Sequence, residues 1–463
     1  MPNLAGVLAK SGEREIMGLL PVIFLYGGYM LKKNYTNIDG MLHIGGLSVE
    51  YLREKYGTPL YIYDQKLIKD TARAFRENFK SDTFASEVSF ASKAGSNLYL
   101  LGLIKNEGLY LDTVSIGEMY IAMKAGFEPK KIHLHGNNKT KEELVFAIKN
   151  KIGTIIIDSY EEFLFLEEIL KEMDEKMDCL LRINPDVKTS THKYIQTSNA
   201  DSKFGINIRD EKIESYIKEM AQSQFVNLLG FHAHIGSQVM EVGFFEEEAK
   251  ILFDFTKKMQ DLTGQSFSHL NLGGGFGVRQ NKNDKDFDLE KFLRDFAKII
   301  EEKINAYDLK ITRVGIEPGR SMINQAGTTI YSVGSVKHTL EGLPLVFVDG
   351  GMSDNIRPSL YGAEYDALIA NRLDDKNYEK FRVGGKLCES GDILIEETDL
   401  PYPKRGDILA IENTGAYSLA MSSNYNKLPK PTVVFVEDGK DYLAVKRETL
   451  EDLIKKDLRY KGE

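Results

Sequence analysis

Eight short runs of β-branched and aromatic residues, each followed by a charged stretch of helical period, constrain this chain more than any other feature. The runs are Val88–Ser92, Leu109–Val114, Lys131–His135, Thr154–Asp158, Cys179–Asn184, Gly230–Ile235, His269–Leu272 and Arg313–Glu317. Between them, segments such as Lys141–Lys149, Glu161–Met173 and Phe244–Leu262 carry apolar residues three and four apart. Repeated alternation of this kind predicts parallel βα units. Eight units are the number that closes a (β/α)8 TIM barrel, and the span 66–325 suits that fold's usual size of about 250 residues. Beyond Gln325 helical periodicity becomes scarce. Thr328–Val336, Leu345–Val348, Asp407–Ile411 and Pro431–Val436 read as strands among frequent turns, and Thr58–Tyr63 is a further strand ahead of the first barrel helix. The expected class is therefore α/β: a barrel over 66–325, and a mostly β domain built from both chain ends, 30–65 and 326–463.

Composition narrows the function classes. A chain of 463 residues is expected to form two or three domains. Its 60 Lys+Arg against 69 Asp+Glu give a net charge of −9, and no long basic run offsets it. That balance argues against a nucleic-acid or anionic-membrane partner. Two cysteines, Cys179 and Cys388, cannot build a disulfide framework or a cysteine-based zinc site, which fits a reducing, cytoplasmic setting. The stretch from Ile16 to Leu31 is apolar but broken by Pro21, Gly27 and Gly28. It is shorter than the ~18 residues of a membrane span, and no small-x-small cleavage site follows it. Residues 1–29 are expected to be a leader outside the fold, with Met30 opening an ordinary soluble N-terminus.

A barrel places its functional residues just past the C-terminal ends of the strands. Unusual polar residues fall there strand after strand. They are Lys93; Asp112 and Ser115; His135, Asn137, Asn138 and Lys139; Asp158 and Ser159; Arg182 and Asn184; His232 and His234 before Ser237; Gly273–Gly275; and Glu317 before Arg320. Gly273, Gly274 and Gly275 occupy the place where loops after strands seven and eight often bind phosphate, and missing side chains would let a phosphate reach the backbone. The competing G-x-G-x-x-G dinucleotide fingerprint fails at Val278. A plain tight turn is the third reading.

Lys93 directly follows a buried apolar strand, so it is expected at the barrel mouth, where desolvation would favour a neutral, nucleophilic amine. An imine-forming lysine together with a phosphate site points to pyridoxal 5'-phosphate. Glu317 would then face the pyridine nitrogen, although a buried salt bridge to Arg182 or Arg320 would look the same in sequence. His232 and His234 would share one strand face. Without a third ligand in register they make no metal site. A ring stacked on a flat cofactor suits His234 better, and a satisfied core histidine suits His232. In the β-rich half, Arg357 and Tyr361, joined by Arg320, could clamp a carboxylate. Glu389 could hold an ammonium group, and Cys388 is either an inert small residue or a proton donor.

These motifs together are recognisable. FASKAGSN, DTVSIGE, HGNNKT, LRINPDV, HAHIGSQ, LGGGFG, EPGRS, VDGGMSDNIRPSLYGA, LCESGD and the GAYS…MSSNYN run closely resemble the diaminopimelate decarboxylase family, pyridoxal-phosphate enzymes of the alanine-racemase-like barrel class. The match runs from about Asn34 to beyond Lys430. The resemblance implies decarboxylation of meso-2,6-diaminopimelate to L-lysine and CO2, the last step of bacterial-type lysine biosynthesis. It implies that Lys93 binds the cofactor as an imine, His234 stacks on its ring, Glu317 holds the pyridine nitrogen, and Ser237 with Gly273–Gly275 binds the phosphate beside Tyr417. Asp112 and Arg182 complete the expected cofactor site. Arg320, Arg357, Tyr361, Glu389 and Tyr417 would bind substrate, with Cys388 as the proton donor. The resemblance also implies a homodimer with shared active sites, in which Cys388 and Glu389 come from the partner subunit. Two positions depart from the family pattern: Gly95, where asparagine is usual, and Gly384-Gly385-Lys386, where a proline is common. Ornithine- or arginine-type decarboxylases of the same fold are the nearest rivals, and they need no clamp for a distal carboxylate. A non-catalytic cofactor-binding relative is the other alternative.

Overall fold

In the computed structural model, residues 25–26, 29–186 and 202–460 are described. Most of the expected leader lies outside them. Within it, Leu25–Tyr26 pairs antiparallel with Tyr29–Met30.

The eight expected barrel strands form, all parallel: Ala85–Ala91, Tyr110–Thr113, Ile132–Leu134, Thr154–Ile157, Met177–Asn184, Val226–His232, His269–Asn271 and Arg313–Ile316. Closure comes from the eighth strand pairing with the first, Arg313 opposite Ala85 and Ile316 opposite Val88. Helices cover the outside, so the strands are buried on both faces and read as continuous apolar runs; Thr154–Ile157 is wholly buried. Most strand ends shift by a residue or two from the sequence reading, and the first and sixth strands shift further. The first strand begins at Ala85, since Ala85–Glu87 pairs with Arg313–Gly315 although it looks polar. The sixth ends at His232 rather than Ile235, so His234 lies beyond the strand.

Several polar residues expected on the rim instead start the next helix. Ser115 accepts the Glu118 N–H, and Ser159 accepts the Glu162 N–H. Thr140 and Glu143 form a reciprocal capping box for Lys141–Lys149. Each cap satisfies an amide that the first helical turn would otherwise leave unpaired. Lys139 is also structural: its Nζ, buried, donates to Gly136 O, Ile156 O and Glu162 Oε1 at 2.7, 2.6 and 2.6 Å.

The β domain draws on both chain ends. Leu60–Asp64 lies between Gly327–Lys337, antiparallel, and Thr432–Glu437, parallel. Strands Tyr378–Gly384 and Ile393–Pro401 extend this sheet, and a small sheet over Tyr35–Ser48 packs beside it; neither was expected. Tyr61, Tyr63, Val433 and Phe435 belong to the same continuous core as the barrel, with Tyr63 and Phe435 stacked at 5.1 Å. Tyr63 Oη donates to Gly415 O at 2.7 Å, and the Tyr417 N–H donates to Ala94 O at 2.9 Å. The first bond ties the two chain ends of the β domain together, and the second pins that domain to the mouth of the barrel.

Barrel interiors are usually filled by branched aliphatic residues. This one also holds an acid. Glu87 is fully buried, 3.4 Å from His133 Nε2, 3.5 Å from His269 Nε2 and 3.3 Å from Arg313 Nη1. Burial alone would raise its pKa, but His133, then His269 and Arg313, outweigh burial and hold it at about 2. A carboxylate with a depressed pKa contributes stability that is complete above its ordinary value and lost as pH falls through the folded one. Glu87→Gln is therefore expected to cost about 3 kcal/mol at pH 7. It should also flatten the decline in stability between about pH 4.5 and 2. Chemical denaturation at a series of pH values measures both.

Candidate active site

The expected rim residues converge at the C-terminal mouth of the barrel around two contiguous cavities. A narrow one, about 40 Å3, is lined by residues including Lys93, Ser237, Gly274, Gly275, Arg320 and Tyr417. A larger one, about 410 Å3, is lined by His135, Asn138, Arg182 and Phe204 among others. Lys93, Asp112, His234 and Glu317 face both. Lys93 is exposed at this mouth, contrary to the expectation that desolvation activates its amine. Among the described residues it makes no ion pair, which leaves the amine accessible to an electrophile.

Glu317 is the centre of the site. It forms no salt bridge with Arg182 or Arg320, the alternative left open by the sequence. Its Oε2 lies 3.1 Å from His232 Nε2, while Oε1 accepts from Asn271 Nδ2 at 2.7 Å and lies 3.2 Å from His135 Nε2. Burial works to raise its pKa, but His135 and His232 prevail and hold it well below the ordinary carboxylate range. His232 is buried and satisfied by Glu317, as expected of a core histidine; burial lowers its pKa to about 4, so it donates as a neutral ring. His135 Nε2 is also 3.3 Å from Asp112 Oδ1. Burial pushes Asp112 up to about 7 against the opposing pull of His135. His135 moves the other way: burial disfavours its charge, yet Asp112 and then Glu317 raise its pKa. His135, His232 and Glu317 bring three potential ligand atoms within 4.8 Å of one another. Both imidazoles aim a nitrogen at Glu317: His232 by a hydrogen bond, His135 at ion-pair distance.

His234 sits past its strand. Its Nδ1 accepts the Gly274 N–H at 3.1 Å, and burial first, then the charges of Lys93 and Arg182, hold its pKa well below the ordinary value. The ring is a neutral plane at the side of the cavity. The three glycines have a sharper reason than phosphate access alone. A Cβ on Gly273 would meet Ala233 O at 2.4 Å, on Gly274 Glu317 O at 2.1 Å, and on Gly275 Gly236 O at 2.4 Å. Gly273 and Gly275 also adopt positive φ, +61° and +103°. Side chains here would push the seventh loop off its neighbours and fill the narrow cavity.

Arg320 reaches Ser237 Oγ with Nε and Nη2, both at 3.3 Å. Its guanidinium lies 5.0 Å from the Tyr417 ring, and that of Arg357 lies 5.2 Å from both Tyr417 and Tyr361. Both arginines are buried, at 7% and 6% exposure, and among the described residues neither has a carboxylate within 4.0 Å. Burial, then Arg357, lowers the pKa of Arg320. Arg182 stacks on Phe204 at 4.4 Å and is 3.9 Å from Asp158 Oδ1. Asn184, expected on the rim, instead accepts the Asp186 N–H. Cys388 and Glu389 line neither cavity; both are exposed, with the Cys388 N–H donating to Asn426 Oδ1 and Tyr425 Oη donating to Glu389. The last residue of the LRINPDV motif, Val187, lies outside the described residues. Sequence reasoning placed His135 on the rim but missed its bridging role, because the Asp112 and Glu317 contacts join strands two, three and eight.

An amine at the first strand, a glycine-lined cradle at the seventh and an anionic carboxylate at the eighth meet the needs of a pyridoxal-phosphate-dependent enzyme: an aldehyde trap, a phosphate seat and a ring-nitrogen partner. Comparison with known proteins agrees. The pyridoxal binding domain of the pyridoxal-dependent decarboxylases matches residues 65–324. Diaminopimelate decarboxylase of Bacillus subtilis is 45% identical over 439 residues, covering 95% of this chain and 99% of its own. The crystal structure of diaminopimelate decarboxylase from M. jannaschii superimposes with a TM-score of 0.86 at 33% identity, covering 92% of this chain and 98% of that one. The same enzyme in complex with L-lysine gives 0.85 at 32% identity, with the same coverage. The chain belongs to the diaminopimelate decarboxylase family, and its cofactor is pyridoxal 5'-phosphate.

Gly274→Ala isolates the cradle, since its strain comes from the Glu317 carbonyl alone. A loss of about 1–3 kcal/mol of stability is expected, the usual cost of overpacking. Weaker cofactor binding should accompany it, as Glu317 moves. Thermal unfolding with an absorbance titration of the apoenzyme reads both.

Proposed function

We infer that this chain decarboxylates meso-2,6-diaminopimelate to L-lysine and CO2. The observation that carries the reading is the pair of buried guanidiniums, Arg320 and Arg357, without a described carboxylate partner. A buried cation left unpaired is costly, so the pair fits a site completed by anions. A phosphate beside Ser237 and a substrate carboxylate between the arginines would supply them, Tyr361 and Tyr417 closing the sides. A substrate with a distal carboxylate needs this clamp; ornithine or arginine would leave it unsatisfied.

Lys93 would supply the amine that holds the cofactor and releases it to the substrate amine. Glu317, anionic, would hold the ring nitrogen, and neutral His234 would support the face of the ring. Ser237 and Gly273–Gly275 would hold the phosphate, with Asp112 and Arg182 completing the cofactor site. When bound, pyridoxal phosphate supplies the electron sink that takes the pair left behind as the carbon–carboxylate bond breaks and CO2 departs. A proton must then reach the α-carbon, and Cys388 is its donor. Cys388 and Glu389 are exposed on their own subunit, which supports a homodimer in which each completes the partner's site. The low cysteine count supports a reducing, cytoplasmic setting. Among the described residues no helix is long and apolar enough to cross a membrane.

Lys93→Ala is expected to abolish turnover together with the visible absorbance of the lysine-bound cofactor; an unchanged spectrum would contradict the assignment. Arg357→Ala tests the clamp. Losing a charge-assisted hydrogen bond worth about 1.5–3 kcal/mol should raise KM for meso-diaminopimelate roughly ten- to hundredfold. Steady-state kinetics with an unchanged KM would remove Arg357 from the substrate site.

A further inference from the structure

His135 has no part in the chemistry described so far, yet one ring nitrogen faces two carboxylates. Its Nε2 is 3.3 Å from Asp112 Oδ1 and 3.2 Å from Glu317 Oε1. All three groups are buried, at 5%, 5% and 7% exposure. Two carboxylates that close in a site of low dielectric cannot both stay ionised without a cation or donor between them. We propose that His135 is a positioning residue whose Nε2, at ion-pair distance from both Asp112 and Glu317, bridges the two carboxylates and keeps Glu317 anionic towards the cofactor in spite of its neighbour Asp112. The proposal rests on the reading of Glu317 as the partner of the ring nitrogen.

No other described group can take this place. His232 edges onto the His135 ring at 5.0 Å and 74°, and its Nε2 serves the other Glu317 oxygen. Asn271 donates to Glu317 but carries no charge. Arg182, from the fifth strand, disfavours the charge on His135; His133, on its own strand, is held low first by burial and also by His135; and Lys93 acts on Asp112 from the first. Asp112 and Glu317 are thus the groups that favour a proton on His135. The backbone also fixes the ring's origin, since the His135 N–H donates to Thr113 O at 2.8 Å. Removing the imidazole would leave Asp112 and Glu317 facing each other, and one of them would take up a proton near neutrality. A protonated Glu317 holds the cofactor ring poorly, so the consequence is a binding defect that grows as pH falls.

The experiment compares native protein with His135→Asn, measuring cofactor affinity by absorbance titration of the apoenzyme and kcat of the holoenzyme from pH 5.5 to 9. In the variant, cofactor Kd should weaken at least tenfold at pH 6 but less than threefold at pH 8.5, and the acid limb of kcat should move up by about one pH unit. The double variant His135→Asn/Asp112→Asn removes the repelling carboxylate together with the bridge. Its acid limb should return towards the native position although the packing loss remains. A weakening uniform across pH, or an acid limb that stays shifted in the double variant, would show a merely structural role and overturn the proposal. If the His135 variants fail to fold, Asp112→Asn alone decides: its acid limb should move to lower pH, and upward movement overturns the proposal. Glu317→Gln separates the underlying reading. If it binds cofactor with native affinity and pH dependence, the Glu317 assignment fails, whatever His135 does.

Discussion

The Glu317 carboxylate is the interaction on which the rest of this site depends, because it closes at one point what the barrel builds on four strands. Its oxygens meet His135, His232 and Asn271, from the third, sixth and seventh strands, at 2.7 to 3.2 Å. Its backbone meets the same loop from behind, the Glu317 N–H donating to Gly273 O at 2.7 Å. A buried carboxylate survives as an anion only with such donors, and here they outweigh the cost of burial. In the proposed mechanism the same anion would keep a pyridine nitrogen protonated and the bound ring ready to accept electrons. Structure and chemistry therefore draw on one hydrogen-bonded group.

Around that point, close backbone approach does what side chains cannot. The glycine loop fits only because Gly273–Gly275 leave room for Ala233 O, Glu317 O and Gly236 O. The two departures from the family pattern follow the same logic. A Cβ at Gly95 would press Ile323 Cδ1 and Leu100 Cδ2 at 3.0 Å, and one at Gly385 would meet Asp392 Oδ2 at 2.2 Å. Above the barrel, Tyr417 takes a left-handed backbone, φ +64°, held by its N–H on Ala94 O. That conformation is costly for a tyrosine and persists only where its surroundings impose it. It turns the ring towards Arg320 and Arg357, so the β domain contributes to the pocket as well as covering it.

Much of this was legible in the sequence, for a physical reason. Parallel strands buried on both faces produce continuous apolar runs, and barrel chemistry gathers at their C-terminal ends, so Lys93, Asp112, Ser237, Gly273–Gly275 and Glu317 could be read from order alone. What stayed hidden depends on contacts between distant strands or on competing uses of one residue type. Ser115 and Ser159 looked like rim residues but cap helices, because a hydroxyl after a strand serves both purposes. Lys139 looked available and is spent on Glu162 and two carbonyls. The strand pair Tyr378–Gly384 and Ile393–Pro401 was missed because adjacent charges, Glu379-Lys380 and Glu396-Glu397, interrupt its apolar residues, with Ile393–Pro401 at the sheet edge. His135 could be placed on the rim, but its two carboxylates come from strands on either side of the barrel's closure.

The central claim is that this pocket removes one carboxylate from a substrate whose other carboxylate it clamps. The most direct measurement supplies meso-diaminopimelate to the holoenzyme and follows CO2 and lysine together. The account predicts one CO2 per L-lysine, with no comparable release from ornithine or arginine. Release of CO2 from those amines at similar rates, or lysine formed without stoichiometric CO2, would contradict it.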